Sequence, residues 1–470
     1  MAASPSPYDV VIIGSGQAGN PLARACAQAG KRTAVVEKVH VGGTCINEGC
    51  TPTKTMIASA RVAYVSRRAG EFGVREGEVG VDVGQVRRRK QGIVDSFRES
   101  NERGLADAGV ELVRGEARFV GERTIEVRTV AEPRTLRGEI VVINTGLRPT
   151  IPPIPGLDAV PYLTSTSIME LSTAPEHLVV LGGGYVGLEF AQMFRRFGSR
   201  VTMLQRGRQL LPREDPDVAE LIAQLLREDG IDVVLDASAT EVARAGSQLS
   251  VVYRVAGAEG APHATTTMTG SHLLVATGRT PNSDGLGLSA AGVARDARGY
   301  ITVDERLATS ADGVYAVGDV KGGPAFTHIS YDDFRILRTN LLQGGSATTT
   351  GRLVPYTVFT DPPLGRIGMT EREAVDAGHR VRVARLPMSH VARAFETTET
   401  RGAMKAVVDE ETQRILGAAV LGLDGGEVVA LLQIAMMGNL PYTALRDGIF
   451  AHPTLAESMN NLFTALDDDR

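Results

Sequence analysis

The sequence predicts an α/β protein with two Rossmann-type nucleotide-binding domains followed by a C-terminal α+β domain. Three observations carry this expectation. An apolar strand runs into a glycine-rich turn twice, at Tyr8–Gly19 and at Leu178–Gly187. In each case a helix and a second apolar strand follow, and the strand ends at the same distance from the first glycine, residues 14 to 37 and 182 to 205. After a Gly/Ser/Thr-rich stretch at 344–351 the pattern changes to short alternating strands mixed with helices. A lone GxGxxG is a weak signal, but strand, glycines, helix and second strand together, and repeated, are a strong one. The later change of periodicity marks a separate layer.

In the first unit, Gly14, Gly16 and Gly19 let the backbone approach a pyrophosphate at the N-terminus of the following helix. The second strand, Thr33–Glu37, ends in an acid. The Glu37 carboxylate accepts from a ribose hydroxyl and repels a 2′-phosphate, so this unit suits FAD or NAD. Next comes Gly42-Gly43-Thr44-Cys45-Ile46-Asn47-Glu48-Gly49-Cys50-Thr51-Pro52-Thr53-Lys54. On a regular helix the Cα atoms of Cys45 and Cys50 would lie roughly 8.6 Å apart, beyond the limit of about 7 Å for a disulfide. A bridged pair therefore requires irregular backbone between them, for which Gly42, Gly43 and Gly49 supply the freedom. Pro52 is suited to the first turn of a helix running on to Tyr64. A cysteine at a helix N-terminus has its thiolate favoured by the orphan N–H groups. The pair reads as a redox-active disulfide, the alternative being two reduced core cysteines.

The strand Glu139–Asn144 breaks at Thr145-Gly146 and leads into the proline-rich Ile151–Gly156, which reads as an interdomain crossing. In the second unit Gly182, Gly184 and Gly187 repeat the phosphate turn, but the strand Val201–Gln205 ends without an acid. Arg206 and Arg208 follow and are placed to pair with a 2′-phosphate, which favours NADPH over NADH. The alternative is that both arginines are solvated turn residues. Leu273–Pro281, with its turn at Gly278, closes this unit, and Val314–Asp319 adds a strand to the first domain that again ends in an acid. The expected domains are 1–152 and 276–350 for the first nucleotide, 153–275 for the second, and 351–470 for the α+β domain. Near the C-terminus, Pro453 restricts His452 to an extended backbone. Glu457, five residues on, can hold one imidazole nitrogen so that the other faces outward, the arrangement of a general acid/base.

The 470 residues imply about three domains, and 43% apolar residues are ample for their cores. A net charge of −5 gives no reason to expect nucleic acid or an anionic membrane as partner. The one dense basic run, Arg87–Lys90, is expected on a solvated helix face. Three cysteines, with Cys26 alone in an apolar helix, make no structural disulfide framework and favour the cytoplasm. Met1–Pro7 lacks the apolar core of a signal peptide, and no apolar run approaches membrane-spanning length.

The ordered motifs resemble the group I flavoprotein disulfide reductases, the family of dihydrolipoamide dehydrogenase, glutathione reductase and mercuric reductase, and do so over essentially the whole chain. The stretches Thr327–Arg335, Val354–Gly368 and Leu440–His452 are most similar to the mercuric-reductase-like branch that includes the reactive-chlorine-resistance flavoreductase. The resemblance implies FAD at Gly14, Gly16, Gly19, Glu37, Gly43, Thr44, Thr145, Gly146 and Asp319, and NADPH at Gly182, Gly184, Gly187, Arg206, Arg208 and Gly278. It implies an ion pair of Lys54 with Glu189 near the flavin. It further implies a homodimer whose C-terminal domain is the dimerisation domain, with His452 and Glu457 serving the partner's Cys45–Cys50 pair. The acceptor would be a small disulfide, with a metal ion such as copper, or the role of a dihydrolipoamide dehydrogenase component, as alternatives. Two departures stand out. Leu466–Arg470 lacks the cysteine pair that delivers mercury in mercuric reductases, and Glu48 stands where the family has a small apolar residue. Glu48 is either a solvated loop charge or a group that discourages anionic disulfides.

Overall fold

The computed structural model describes residues 7–75, 77–256 and 264–467. The expectation for Met1–Pro7 falls outside the described residues except at Pro7, and that for Leu466–Arg470 does so from residue 468 onward. Among the described residues no helix is long and apolar enough to cross a membrane. The chain divides into two compact units, the first made of residues 1–56, 85–150 and 278–352 and the second of 57–84, 151–277 and 353–470.

The first unit is built on a sheet in which Glu111–Arg114, Thr33–Glu37, Tyr8–Ile13 and Arg134–Ile143 lie side by side and parallel, with Val314–Ala316 also parallel to Arg134–Ile143. The strands Thr124–Arg128 and Glu116–Gly121 extend it antiparallel. Successive strand side chains point to opposite faces. Val10 and Ile12 accordingly pack with Leu22, Ala23 and Cys26 of the helix Gly19–Gln28 and with Phe334 and Leu337 of the helix Thr327–Leu342. Val11 and Ile13 pack on the other face with Val113, Phe119 and Val141. A strand covered on both faces is apolar where it is covered, which is why Val10–Ile13 reads as an unbroken apolar run after Asp9.

One expectation is corrected in the helix Val83–Asp107. Arg87, Arg88 and Arg89 are exposed, but Lys90 is buried and its Nζ donates to Gln91 Oε1 at 3.2 Å. Val83, Val86 and Val94 are buried on the same stripe, and residues spaced by three and four along a helix share one face. Lys90 falls on that stripe by register.

The second unit contains a parallel sheet in the order Asp232–Val234, Arg200–Leu204, His177–Leu181, His272–Val275. Next to it in sequence is an antiparallel three-stranded sheet, Ala237–Ala245, Gln248–Val255 and Ala264–Gly270. The C-terminal segment forms a five-stranded antiparallel sheet in the order Tyr356–Val358, Leu364–Gly368, Ile415–Leu421, Ala403–Asp409, Val381–Pro387, with a core that includes Met404, Val420, Leu432 and Phe463.

Buried charge ties these pieces of the second unit together. Lys405 Nζ lies 3.0 Å from Asp215, 2.9 Å from Asp217 and 2.8 Å from Glu371. Arg366 bonds Glu214 at 3.2 Å, and Tyr356 donates to the same carboxylate. Arg196 bonds Asp361 and Asp229, Arg61 bonds Asp361, and Arg401 bonds Asp229 and Glu399. Burial pushes the Asp215 and Asp217 carboxyls up, but the backbone N–H groups of Glu371 and Val218 and the Lys405 ammonium hold both below the usual carboxylate range. Burial lowers the Lys405 pKa, and its three carboxylates more than reverse this.

Lys405→Met should therefore cost about 1–3 kcal/mol of stability in urea unfolding at neutral pH, because it takes the cation from the buried Asp215, whereas the more exposed Asp217 and Glu371 keep Arg385. The depressed carboxylates contribute stability above their unfolded pKa of about 4, and this is lost as pH falls through their lower folded values. The gap between wild type and variant should thus narrow in acid, and a gap that is constant down to acid unfolding would refute the assignment.

Candidate active site

In the first unit the phosphate turn closes onto the end of the strand Arg134–Ile143. Gly14 has φ +97°, and a Cβ there would lie 2.4 Å from the Asn144 carbonyl oxygen. A Cβ at Gly16 would lie 2.7 Å from Asn144 Oδ1, and one at Gly19 would lie 2.4 Å from the Gly14 oxygen. Gly19 N–H donates to Asn144 Oδ1 at 2.9 Å, and Asn144 Nδ2 donates to the Val317 carbonyl at 3.1 Å. Glu37 is held at the turn by Ser15, whose N–H and hydroxyl donate to Oε2 at 3.1 and 2.7 Å, while Val39 N–H donates to Oε1 at 2.9 Å.

The cysteine segment docks on this turn. Gly42 N–H donates to the Ser15 hydroxyl at 3.1 Å, and a Cβ at Gly43 would lie 2.7 Å from Gly16 Cα. Thr44 and Cys45 sit in the short helix Gly43–Asn47, which stops at Glu48 (φ −141°), and a new helix, Cys50–Arg67, begins at the second cysteine with Pro52 in its first turn. The backbone is thus irregular between the two cysteines. Both are unbridged, Cys45 half-buried and Cys50 exposed. A hydrogen bond with Cys50, then burial and the Cys50 charge, push the Cys45 thiol far up, against the opposing influence of the Thr327 hydroxyl and the Lys54 ammonium. The two side chains thus lie close enough for one to act directly on the other. Cys50 Sγ also lies 3.3 Å from Thr327 Oγ1. Glu48 is exposed.

Asp319 lies in the 3-10 turn Gly318–Lys321 that follows the strand Val314–Ala316. Burial raises its pKa, and Arg279 and Lys321 pull it back. Among the described residues its carboxylate has no hydrogen-bond partner, the state of a group awaiting hydroxyl donors. Gly146 (φ +66°) has open space around it, and Thr145 is tied to Asn282 by bonds of 2.8 and 2.9 Å. A half-buried carboxylate with no hydrogen bond to the described residues has the acceptor chemistry that the hydroxyls of a ribityl chain would need.

Three residues in this unit went unmarked by sequence reasoning: Asn144, Thr327 and Asp333. Asp333 is fully buried, accepts from Gly318 N–H at 2.8 Å and pairs with Lys321 at 3.3 Å and Arg352 at 2.9 Å, fixing the turn that carries Asp319. The available signal was an acid set beside Phe334, Ile336 and Leu337 on an otherwise apolar helix face.

In the second unit a Cβ at Gly182 (φ +108°) would lie 2.4 Å from the Ala276 oxygen, and one at Gly187 would lie 2.2 Å from the Gly182 oxygen, whereas Gly184 has open space before the helix Tyr185–Phe197. Gln205 Oε1 accepts from Gly183 N–H at 3.0 Å, the counterpart of the bond from Ser15 N–H to Glu37. Arg206 and Arg208 are exposed and make no ion pair among the described residues. Gly278 belongs to the first unit, where its carbonyl accepts from Thr150 N–H at 3.0 Å. Glu189 is buried and accepts from Phe359 N–H at 2.9 Å. In the C-terminal segment, His452 Nδ1 lies 2.8 Å from Glu457 Oε2, and Glu457 N–H donates to the Thr454 hydroxyl at 3.2 Å. The imidazole is 68% exposed. No cluster of three or more potential metal-ligating side chains occurs among the described residues.

Residues 8–333 match the family model for pyridine nucleotide-disulphide oxidoreductases, and residues 354–463 match the dimerisation domain of the same family. The chain belongs to this family of FAD- and NAD(P)H-dependent flavoprotein oxidoreductases, which act on sulfur groups or metals, and its C-terminal domain supports a homodimer. Among curated proteins it is 41% identical to the probable pyridine nucleotide-disulfide oxidoreductase RclA of Escherichia coli, over 97% of this chain and 99% of that one. It is 34% identical to a mercuric reductase of Staphylococcus aureus, over 98% of this chain and 83% of that one. The fold matches the solved Cu(II) complex of RclA, described as a HOCl-induced flavoprotein disulfide reductase, with a TM-score of 0.88 and 40% identity over 98% of this chain and 99% of that one.

Asp319→Ala should separate binding from folding. Loss of a charge-assisted bond is worth about 1.5–3 kcal/mol, roughly ten- to a hundredfold in FAD affinity when apoprotein is titrated by flavin fluorescence. Removing a half-buried carboxylate that makes no hydrogen bond to the described residues should leave the apoprotein nearly as stable in thermal unfolding. A destabilised apoprotein with unchanged FAD affinity would contradict this role.

Proposed function

We propose that this protein is a cytoplasmic NADPH-driven reductase that delivers electrons through Cys45 and Cys50 to a small disulfide. The observation that carries the reading is a pair of free cysteines on a broken helix, close enough that a hydrogen bond with Cys50 is the largest influence raising the Cys45 pKa. The glycine turn, Glu37 and Asp319 would hold FAD, which would supply two-electron transfer between the nicotinamide and the Cys45–Cys50 pair. By family analogy Lys54 and Glu189 form an ion pair near its reactive edge. In the reduced pair Cys50 is the flavin-side thiolate and Cys45 the interchange thiol. His452 of the partner subunit, its Nδ1 fixed by Glu457 as in this chain, takes the Cys45 proton. The Cys45 thiolate then attacks the substrate to form a mixed disulfide, and the departing thiolate is protonated by that imidazole. Cys50 next attacks Cys45, the second thiol leaves, and the bridge is restored. One NADPH and one proton enter per turnover, and NADP⁺ and two thiols leave.

A second reading, reduction of a soft metal ion, is favoured by the mercuric reductases and the Cu(II)-bound RclA among the relatives. Two thiolates suit such an ion.

Mixed dimers test the shared site. Cys45→Ser and His452→Ala dimers should each be nearly inactive with a disulfide substrate, and purified heterodimers of the two should recover toward half of wild-type turnover. No recovery would place each site within one subunit. The same preparations assayed with Cu(II) decide between the acceptors, since high turnover with Cu(II) and none with any disulfide would displace the disulfide reading.

Arg206 is proposed to meet the 2′-phosphate. Arg206→Ala should weaken NADPH use roughly ten- to a hundredfold while leaving NADH use nearly unchanged in steady-state kinetics. Equal losses, or a wild type that prefers NADH, would refute the assignment.

A further inference from the structure

We infer that Thr327 is a further catalytic residue, whose hydroxyl donates to the Cys50 sulphur and holds the negative charge of the reduced pair there. The inference rests on the reading of Cys45 and Cys50 as the redox centre. Thr327 Oγ1 lies 3.3 Å from Cys50 Sγ, within hydrogen-bond range for sulphur. The same hydroxyl acts on Cys45, opposing the rise of that thiol's pKa.

Backbone position explains why the hydroxyl is available. Threonine inside a helix usually turns its hydroxyl back onto a carbonyl of the preceding turn. Thr327 is the first residue of the helix Thr327–Leu342, and Phe326 before it is extended (φ −129°, ψ 147°), so no preceding turn exists. Phe326 supplies no side-chain cap either. A thiolate accepts but cannot donate, so the proton in this contact belongs to the hydroxyl. Cys50 itself opens the helix Cys50–Arg67. Its charge therefore sits at the positive start of its own helix and also meets the hydroxyl that opens a second.

The half-reaction shows what this does. The Cys45–Cys50 bridge takes two electrons and one proton; the S–S bond breaks, the proton goes to Cys45, and the charge stays on Cys50. Thr327 keeps its own proton throughout. Whatever factor the hydroxyl contributes to the stability of the thiolate appears directly in the equilibrium constant for reducing the bridge, tenfold corresponding to about 30 mV.

Thr327→Val keeps the shape and removes the donor, and Thr327→Ser restores the donor. Two measurements on the holoenzyme read the effect: the pH titration of thiolate absorbance after reduction, and the dithiol–disulfide equilibrium in redox buffers followed by thiol alkylation. Thr327→Val should raise the thiolate pKa by about one unit and make reduction about tenfold less favourable. Thr327→Ser should match wild type. A valine variant that matches wild type in both measurements overturns the inference. So does a serine variant that behaves like valine, because the lost methyl and not the hydroxyl would then be responsible. If the valine protein does not fold, Thr327→Ala carries the same expectation. A wild-type pair that no redox buffer can oxidise to a bridge defeats the proposed function itself, whereas an oxidisable pair indifferent to Thr327 defeats only this inference.

Discussion

The site in the first unit depends on a backbone contact too close for side chains. The loop at Gly42-Gly43 lies directly on the turn at Gly14–Gly19, with the position of a Gly43 Cβ only 2.7 Å from Gly16 Cα. From that contact the positions of the other groups follow. Ser15, fixed by Glu37 on one side, accepts from Gly42 on the other. The cysteine helix starts where the loop leaves the turn, and Asn144 joins the first turn of the helix Gly19–Gln28 to Val317, just before the turn that carries Asp319. An alanine at Gly14 or Gly43 would meet both a clash and a positive φ that L-residues resist. Glu37, the glycine turn, the cysteine pair and the turn at Asp319 are thus parts of one rigid arrangement.

The second unit solves a different problem. Its nucleotide-binding sheet and its C-terminal sheet each have their own apolar core, so hydrophobic burial alone leaves their mutual placement loosely specified. Buried charge supplies directional contacts instead. Arg196 stacks on Tyr64, with its guanidinium carbon 3.8 Å from the ring centroid, while bonding Asp361 and Asp229, and Arg401 reaches Asp229, Glu399 and the Tyr64 hydroxyl. Such clusters add little net stability over apolar packing, but losing one member strands the rest.

The same logic separates the two cysteines. Identical side chains five residues apart in sequence meet different surroundings because one is half-buried within a short helix and the other opens a long one. A neighbouring sulphur and burial raise the Cys45 pKa, while a position at a helix start is one that favours a thiolate at Cys50.

Much of the fold and part of the site were legible in the sequence, and the parts that were share a property. Glycine turns, the break between Cys45 and Cys50, the proline that orients His452 and the acid that ends Thr33–Glu37 are local constraints on backbone, satisfied or violated within a few residues. Gln205 was legible as a missing acid for the same reason, although only the structure shows that it keeps the bond to the turn while discarding the charge. The groups that could not be read are those whose partners are distant along the chain. Asn144 acts on Gly19 across 125 positions, Cys50 meets Thr327 across 277, and Lys405 meets Asp217 across 188. Lys90 looked solvated because its neighbours in sequence are, and is buried because its neighbours on the helix face are valines. The sequence by itself determined which segments become strands, turns and helix starts, since these follow from periodicity and allowed dihedrals. Only the tertiary structure decided which polar groups meet, because a hydrogen bond is specified by position in space, and folding brings to about 3 Å residues that no local pattern relates.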